Sequence, residues 1–132
     1  MVASGQPAAG LRLGRWRLER ELGEGATARV FAARHVDVAR RAAVKVLHTE
    51  RTLDPVARER FTREADAAAR VRHPNVVPLL DAGIEDGVAY VVMDLIEGET
   101  LAAHLARHGR LTPERTVRLA RDLAAGLAAV HA

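Results

Sequence analysis

The chain has 132 residues, enough for one domain or for part of a larger one. Cysteine is absent, which excludes a disulfide framework and a thiolate metal site, and aromatics make up only 3% of the residues, so any core must be aliphatic. Twenty basic and seventeen acidic residues are interleaved to a net charge of +3, with no long block of one sign, which argues against a nucleic-acid tail or basic patch. In chain order, residues 1–14 are rich in Ala and Gly and predict a loose N-terminus without the apolar core of a secretory signal. Residues 15–22 alternate as a half-buried strand, with Trp16, Leu18 and Leu22 on one face and Arg20 interrupting. Gly23 and Gly25 follow. Val30–Val36 and Ala42–Leu47 are two further strands, separated by a turn at Val38-Ala39-Arg40. Asp54-Pro55 is an N-cap followed by proline at the first helical position, and the helix it opens is expected to run to about Arg72, before His73-Pro74. Leu79–Ala82 and Val88–Asp94 are strands joined at Asp86-Gly87. Thr100–His108 is a short helix ending before Gly109, and Thr112-Pro113 starts a last helix with an apolar stripe at Thr116, Ala120, Leu123, Leu127 and Val130. No apolar stretch is long enough to span a membrane, and the default compartment is the cytoplasm.

Short turns between consecutive strands imply an antiparallel sheet. The expected fold class is therefore α+β, with five antiparallel strands, one long helix and two later helices.

Nineteen of the twenty basic residues are arginine, and the exception, Lys45, stands inside the apolar run Ala42-Ala43-Val44-Lys45-Val46-Leu47. A position needing only positive charge could have been arginine in so biased a sequence. A lone lysine suggests a compact ammonium with a specific task such as phosphate neutralisation; the competing expectation is a solvated residue on an edge strand. Gly23 and Gly25 lie in a loop between two strands, where missing side chains let backbone amides approach a polyphosphate. A dinucleotide-binding loop would have to open a helix. Here Arg29-Val30-Phe31 prefers strand, and the next apolar runs come too soon for a crossover helix.

Five motifs in a fixed order carry a resemblance: Leu22-Gly23-Glu24-Gly25 through Val30, Ala43-Val44-Lys45, Glu64 in Arg63-Glu64-Ala65, His73-Pro74-Asn75-Val76-Val77, and Val91-Val92-Met93-Asp94. Over residues 15–131 the chain resembles the N-terminal lobe and first C-lobe helices of a bacterial eukaryotic-type serine/threonine protein kinase. The resemblance implies an ATP-binding lobe and hinge over residues 15–98, and the start of a second lobe over 99–132. It implies that Leu22, Val30 and Ala43 wall an adenine pocket, with Met93 as gatekeeper. It makes the Asp94 carbonyl and Ile96 amide the hinge groups for adenine, and Gly23, Glu24, Gly25 and Ala26 the loop over the phosphates. Lys45 and Glu64 are implied as catalytic, the lysine on the α- and β-phosphates and the glutamate holding it. Ala28 and Ala26 stand where the family has glycine, so a stiffer loop is expected. Phe61, Ala65 and Ala68 are expected to form the inward stripe of the long helix, bordered by Glu64.

These residues hold no HRD-type catalytic loop and no magnesium-binding DFG. Asp81-Ala82-Gly83 imitates the latter but precedes the hinge, and is expected to be a turn. The expectation is a truncated kinase, inactive alone, whose Mg²⁺ ligands and protein-substrate surface lie outside the chain; the alternative is a stand-alone pseudokinase-like nucleotide-binding or interaction module. Self-association through the last helix is expected. His104 and His108 stand four apart on a helix, but no third ligand is evident, so they are expected to be solvated, with no metal site.

Overall fold

The computed structural model describes residues 7–48 and 54–132. They form nine elements: β1 (Arg12–Leu13), β2 (Trp16–Glu24), β3 (Ala28–His35), β4 (Arg41–Leu47), α1 (Pro55–Ala69), β5 (Leu79–Glu85), β6 (Val88–Met93), α2 (Leu101–His108) and α3 (Pro113–His131). The strands make one antiparallel sheet in the order β1-β2-β3-β4-β6-β5. Six strands replace the expected five because β1 forms inside the stretch expected to be loose. Leu13 there is buried, and Gly10 and Leu11 exchange backbone hydrogen bonds with Leu18. Residues 1–6 of that stretch lie outside the described residues.

Chain contacts divide the described residues into two compact units. The first comprises the segment up to Arg70 together with Pro78–Leu95, and the second Val71–Val77 with Ile96–Ala132. In the first unit Trp16, Leu18, Phe31, Ala33, Val44, Val46, Tyr90 and Val92 form an aliphatic-rich core on one face of the sheet. Phe31, Leu18, Val44, Val46 and Val92 are its large, fully covered side chains. Each contributes about 1.5–3 kcal/mol by leaving water. The pairing of β2 with β3 shifts register between Leu18 and Arg20 and again between Glu21 and Gly23. The first shift takes Leu22 out of phase with Trp16 and Leu18 and the second falls at Leu22 itself, so Leu22 stays 41% exposed instead of joining their face.

Helix α1 starts where its cap signal predicts: Asp54 accepts a 2.7 Å hydrogen bond from the Ala57 amide. It ends at Ala69 and not at Arg72, because the Arg70 amide turns back to Ala67. It packs along β5, and its half-buried positions are Ala57, Phe61, Ala65 and Ala69, an i, i+4 row with Ala69 in the place expected for Ala68. Asp81-Ala82-Gly83 is strand within β5 and not a turn; the Asp81 carboxylate accepts from the Ala82 amide and, at 3.4 Å, from the Trp16 indole.

In the second unit Thr100 and Thr112 cap α2 and α3, accepting from the Ala103 and Arg115 amides. The covered row of α3 runs through Leu119, Gly126 and Ala129, while Thr116, Ala120, Leu123, Leu127 and Val130, the stripe its apolar spacing suggested, are exposed. The reason is the segment around Asn75. Its side-chain amide donates to the Asp122 carbonyl at 2.9 Å, and a Cβ on Gly126 would stand 3.0 Å from the Asn75 carbonyl. Glycine lets the two backbones approach this closely without the Asn75 segment having to yield. No helix of the described residues is long and apolar enough to cross a membrane.

Tyr90 closes the core between two glycines. A Cβ on Gly14 or Gly83 would lie 2.4 or 2.6 Å from its hydroxyl oxygen. Burial, then the charges of Asp81 and Glu85, push the Tyr90 phenol above its usual pKa. The folded state thus holds the neutral phenol more tightly than the unfolded chain does. Stability is complete below about pH 10 and falls as pH rises from there through the raised value. Urea unfolding should show Tyr90→Phe losing less stability than wild type above about pH 10. At neutral pH Gly83→Ala should cost about 1–3 kcal/mol through overpacking, part of it recovered in Gly83→Ala/Tyr90→Phe, where the nearest clashing atom is gone. Additive costs in the double variant would contradict this packing.

Candidate functional site

Strand β4 alternates strictly. Ala42, Val44 and Val46 point into the core, so Ala43, Lys45 and Leu47 must lie on the other face. The register extends that face across the sheet. Gly23 pairs with Val30, Val30 with Lys45, and Lys45 with Val91, one line across four strands. Two residues further along, Ala32, Ala43 and Met93 form a second line on the same face. Lys45 is half-buried there, beside Val30 and with Ala43, only 6% exposed, two residues before it on the strand. An apolar wall of small side chains with one ammonium on it suits a flat apolar ring that carries an anionic group.

Next to Gly23 on that line, β2 and β3 are joined by the glycine loop. The Gly25 amide donates to the Ala28 carbonyl at 2.8 Å. The amides of Ala26 and Thr27 have no hydrogen bond among the described residues, and backbone amides of this kind serve as phosphate donors. A Cβ at Gly23 would meet nothing within 4 Å, so the space over that residue is open. Gly23, Glu24, Gly25 and Ala26 are all exposed.

Two residues that sequence reasoning passed over hold the loop. The His48 ring lies 3.1 Å from the Gly25 carbonyl and 3.8 Å from the Glu24 carboxylate, and the His48 amide donates to the Thr27 carbonyl. Arg29 grips Glu21 with two hydrogen bonds, of 3.1 and 2.5 Å, and lies over the Phe31 ring. Its guanidinium holds the Glu21 carboxyl below the usual carboxylate range, so this tie is intact above that range and is lost as pH falls through the lowered value. Spacing gave no signal for it: Arg29 pairs with Glu24 and Glu21 with Phe31, so the Glu21–Arg29 contact is a diagonal one set by the bulged register.

Lys45 and Glu64 are not brought together. Glu64 is exposed, about 80° round the helix from the centre of the half-buried row of α1. Among the described residues neither side chain has an ion-pair partner. The i, i+4 pair that α1 does form joins Arg63 to Glu59 at 3.0 Å. Asp94 is half-buried at the end of β6, with its carboxylate 3.3 Å from Arg40 in the β3–β4 turn. Ile96 belongs to the second unit and is 65% exposed.

In the second unit His108 is exposed and His104 half-buried, and a carboxylate that the sequence did not point to stands beside them. Glu99, just before the α2 cap, brings its carboxylate to 2.9 Å from His104 Nδ1, and one ligand atom each of Glu99, His104 and His108 lie within 4.8 Å of one another.

An unpaired Lys45 contributes nothing to folding through an ion pair. Lys45→Met should leave unfolding free energy within about 0.5 kcal/mol of wild type in urea titration. A loss of several kcal/mol would show that the ammonium has a structural partner.

Residues 16–132 match the model of the family described as the protein kinase domain. The serine/threonine-protein kinase PknH of Mycobacterium tuberculosis is 42% identical over 123 residues, which is 93% of this chain and 20% of that protein. The serine/threonine-protein kinase PknE of the same species is 39% identical over 132 residues, 100% of this chain and 23% of PknE. The crystal structure of the Mycobacterium tuberculosis PknI kinase domain superposes with a TM-score of 0.80 at 29% identity, covering 96% of this chain and 53% of that one. The chain thus spans about a fifth of the curated relatives it matches and about half of the solved kinase domain.

Proposed function

Because this chain belongs to the protein kinase domain family, we propose that it is the ATP-binding part of a serine/threonine kinase, and that the complete protein transfers the γ-phosphoryl group of ATP to protein Ser/Thr. The observation that carries the proposal is the single sheet face that aligns Val30, Lys45 and Val91 beside Ala43 and Met93. ATP, when bound, supplies the phosphoryl group. On this reading Leu22, Val30 and Ala43 cover adenine, Met93 limits the depth of the pocket, and the Asp94 carbonyl and Ile96 amide hydrogen-bond the ring. Lys45 neutralises the α- and β-phosphates beneath the loop of Gly23, Glu24, Gly25 and Ala26, and Glu64 supports it when α1 turns. The residues fit an anionic nucleotide: the lysine has no carboxylate within ion-pair distance among the described residues, and Ala26 and Thr27 have free amides. Magnesium is left to groups beyond these 132 residues, since no DFG follows the hinge. ATP is abundant in the cytoplasm, and that compartment is part of the proposal.

A second reading, a nucleotide-binding or interaction module that performs no phosphoryl transfer, is favoured by the separation of Lys45 from Glu64. Chemical-shift titration of the 132-residue polypeptide separates the two. For the kinase part we expect millimolar ATP binding, about −4 kcal/mol, weakened more by Lys45→Met for ATP than for adenosine. We also expect no phosphoryl transfer with Mg-ATP, since the groups that position and stabilise the γ-phosphoryl are absent. Micromolar ATP binding without metal would favour the module. Autophosphorylation that vanishes in Lys45→Met would overturn the expected inactivity.

The exposed row Leu123, Leu127 and Val130 on α3 is proposed to drive self-association of the polypeptide when it stands alone. Light scattering should find oligomers that Leu123→Glu/Leu127→Glu returns to monomer. A wild-type monomer at high concentration would contradict it.

A further inference from the structure

We propose that Glu99, His104 and His108 form a binding site for a divalent transition-metal ion, with Zn²⁺ as the ion of choice. His104 and His108 lie one turn apart on α2, with ring centroids 4.6 Å apart and planes tilted by 41°. Glu99 enters from the residue before the Thr100 cap, with one oxygen 2.9 Å from His104 Nδ1. The three ligand atoms lie within 4.8 Å of one another. A tetrahedral zinc ion with bonds of about 2.1 Å sets its ligand atoms about 3.4 Å apart, so small rotamer shifts close the site. Imidazole and carboxylate together suit zinc, nickel or copper and not magnesium or calcium.

The fold supports the set. Thr100 fixes the start of α2, and Gly109, at φ +75°, ends it directly after His108. Glu99 therefore stands at the positive end of the helix and His108 at the negative end, where an acid and a cation-binding group respectively are favoured. His104 also lines a cavity of about 460 Å³ with Glu99, Leu111, Arg115 and Asp122, which leaves room for water as the fourth ligand. The ion would bind His104 through Nδ1, the nitrogen that faces Glu99, as a neutral imidazole. Arg107, 2.8 Å from the other Glu99 oxygen, stays as the partner that orients the carboxylate. The ion would staple the residue before α2 to its last turn.

The test is Zn²⁺ titration of the 132-residue polypeptide in competition with a chromophoric chelator, with Co²⁺ absorbance reporting tetrahedral geometry. One ion per chain is expected. Losing an outer-shell partner alone costs about 10–100-fold in metal affinity, so His108→Ala and His104→Ala should each lose at least about 10-fold, and Glu99→Gln a comparable factor. His108 is exposed, so its variant should keep the wild-type circular dichroism and answer the question even where His104→Ala does not fold. No uptake, or uptake unchanged in His108→Ala or in Glu99→Gln, overturns the site.

Discussion

The period-two alternation of β4 is the constraint on which the first unit depends. Ala42, Val44 and Val46 are covered by the core, and their burial fixes the facing of every residue between them. A slip of one residue would put the Lys45 ammonium into an aliphatic core, at a cost far above that of any lost packing. The core therefore does two things at once: it holds the sheet, and it obliges Lys45 and Ala43 to the opposite face. The register with β3 and β6 then brings Val30, Val91 and Met93 to the same place.

Packing of α1 is of a different kind. Three of the four half-buried positions in its row are alanine, and no residue of the helix is fully buried. A helix held by so little apolar area can shift on its sheet at small cost. Glu64 lies about 80° from the centre of that row and makes no ion pair with Lys45 among the described residues. The glycine loop contrasts with this, being tied down by His48 on one side and by the Arg29–Glu21 pair on the other. Ala26 and Ala28 restrict its backbone further than glycine would.

Close backbone approaches complete the two units. Gly14 and Gly83 leave room for the Tyr90 hydroxyl, and Gly126 leaves room for the Asn75 carbonyl. In each case a missing Cβ lets a larger group close a gap: Tyr90 is the hairpin partner of Gly83, while Gly14–Tyr90 and Gly126–Asn75 join distant parts of the chain. This is why the segment Val71–Val77 belongs with α3 although it follows α1 directly.

Local signals in the sequence determined much of this protein. Alternation placed β4, and with it the facing of Lys45. Asp54-Pro55, Thr100 and Thr112-Pro113 placed the helix starts, because a cap is satisfied by amides two or three residues away. The order of the motifs identified the family, since each motif is contiguous. Tertiary structure decided the rest. The bulges that expose Leu22, the short strand at Arg12–Leu13 and the strand at Asp81-Ala82-Gly83 all depend on the register with a neighbouring strand, which spacing within one segment does not contain. The covered face of α3 was misread because apolar spacing counts only side chains, whereas a glycine against the Asn75 backbone won the contact. Glu99 joined His104 and His108 for a like reason. Spacing on a helix shows which residues share a face, but a ligand arriving from before the cap is placed by the turn of the chain, and only the folded backbone contains that turn.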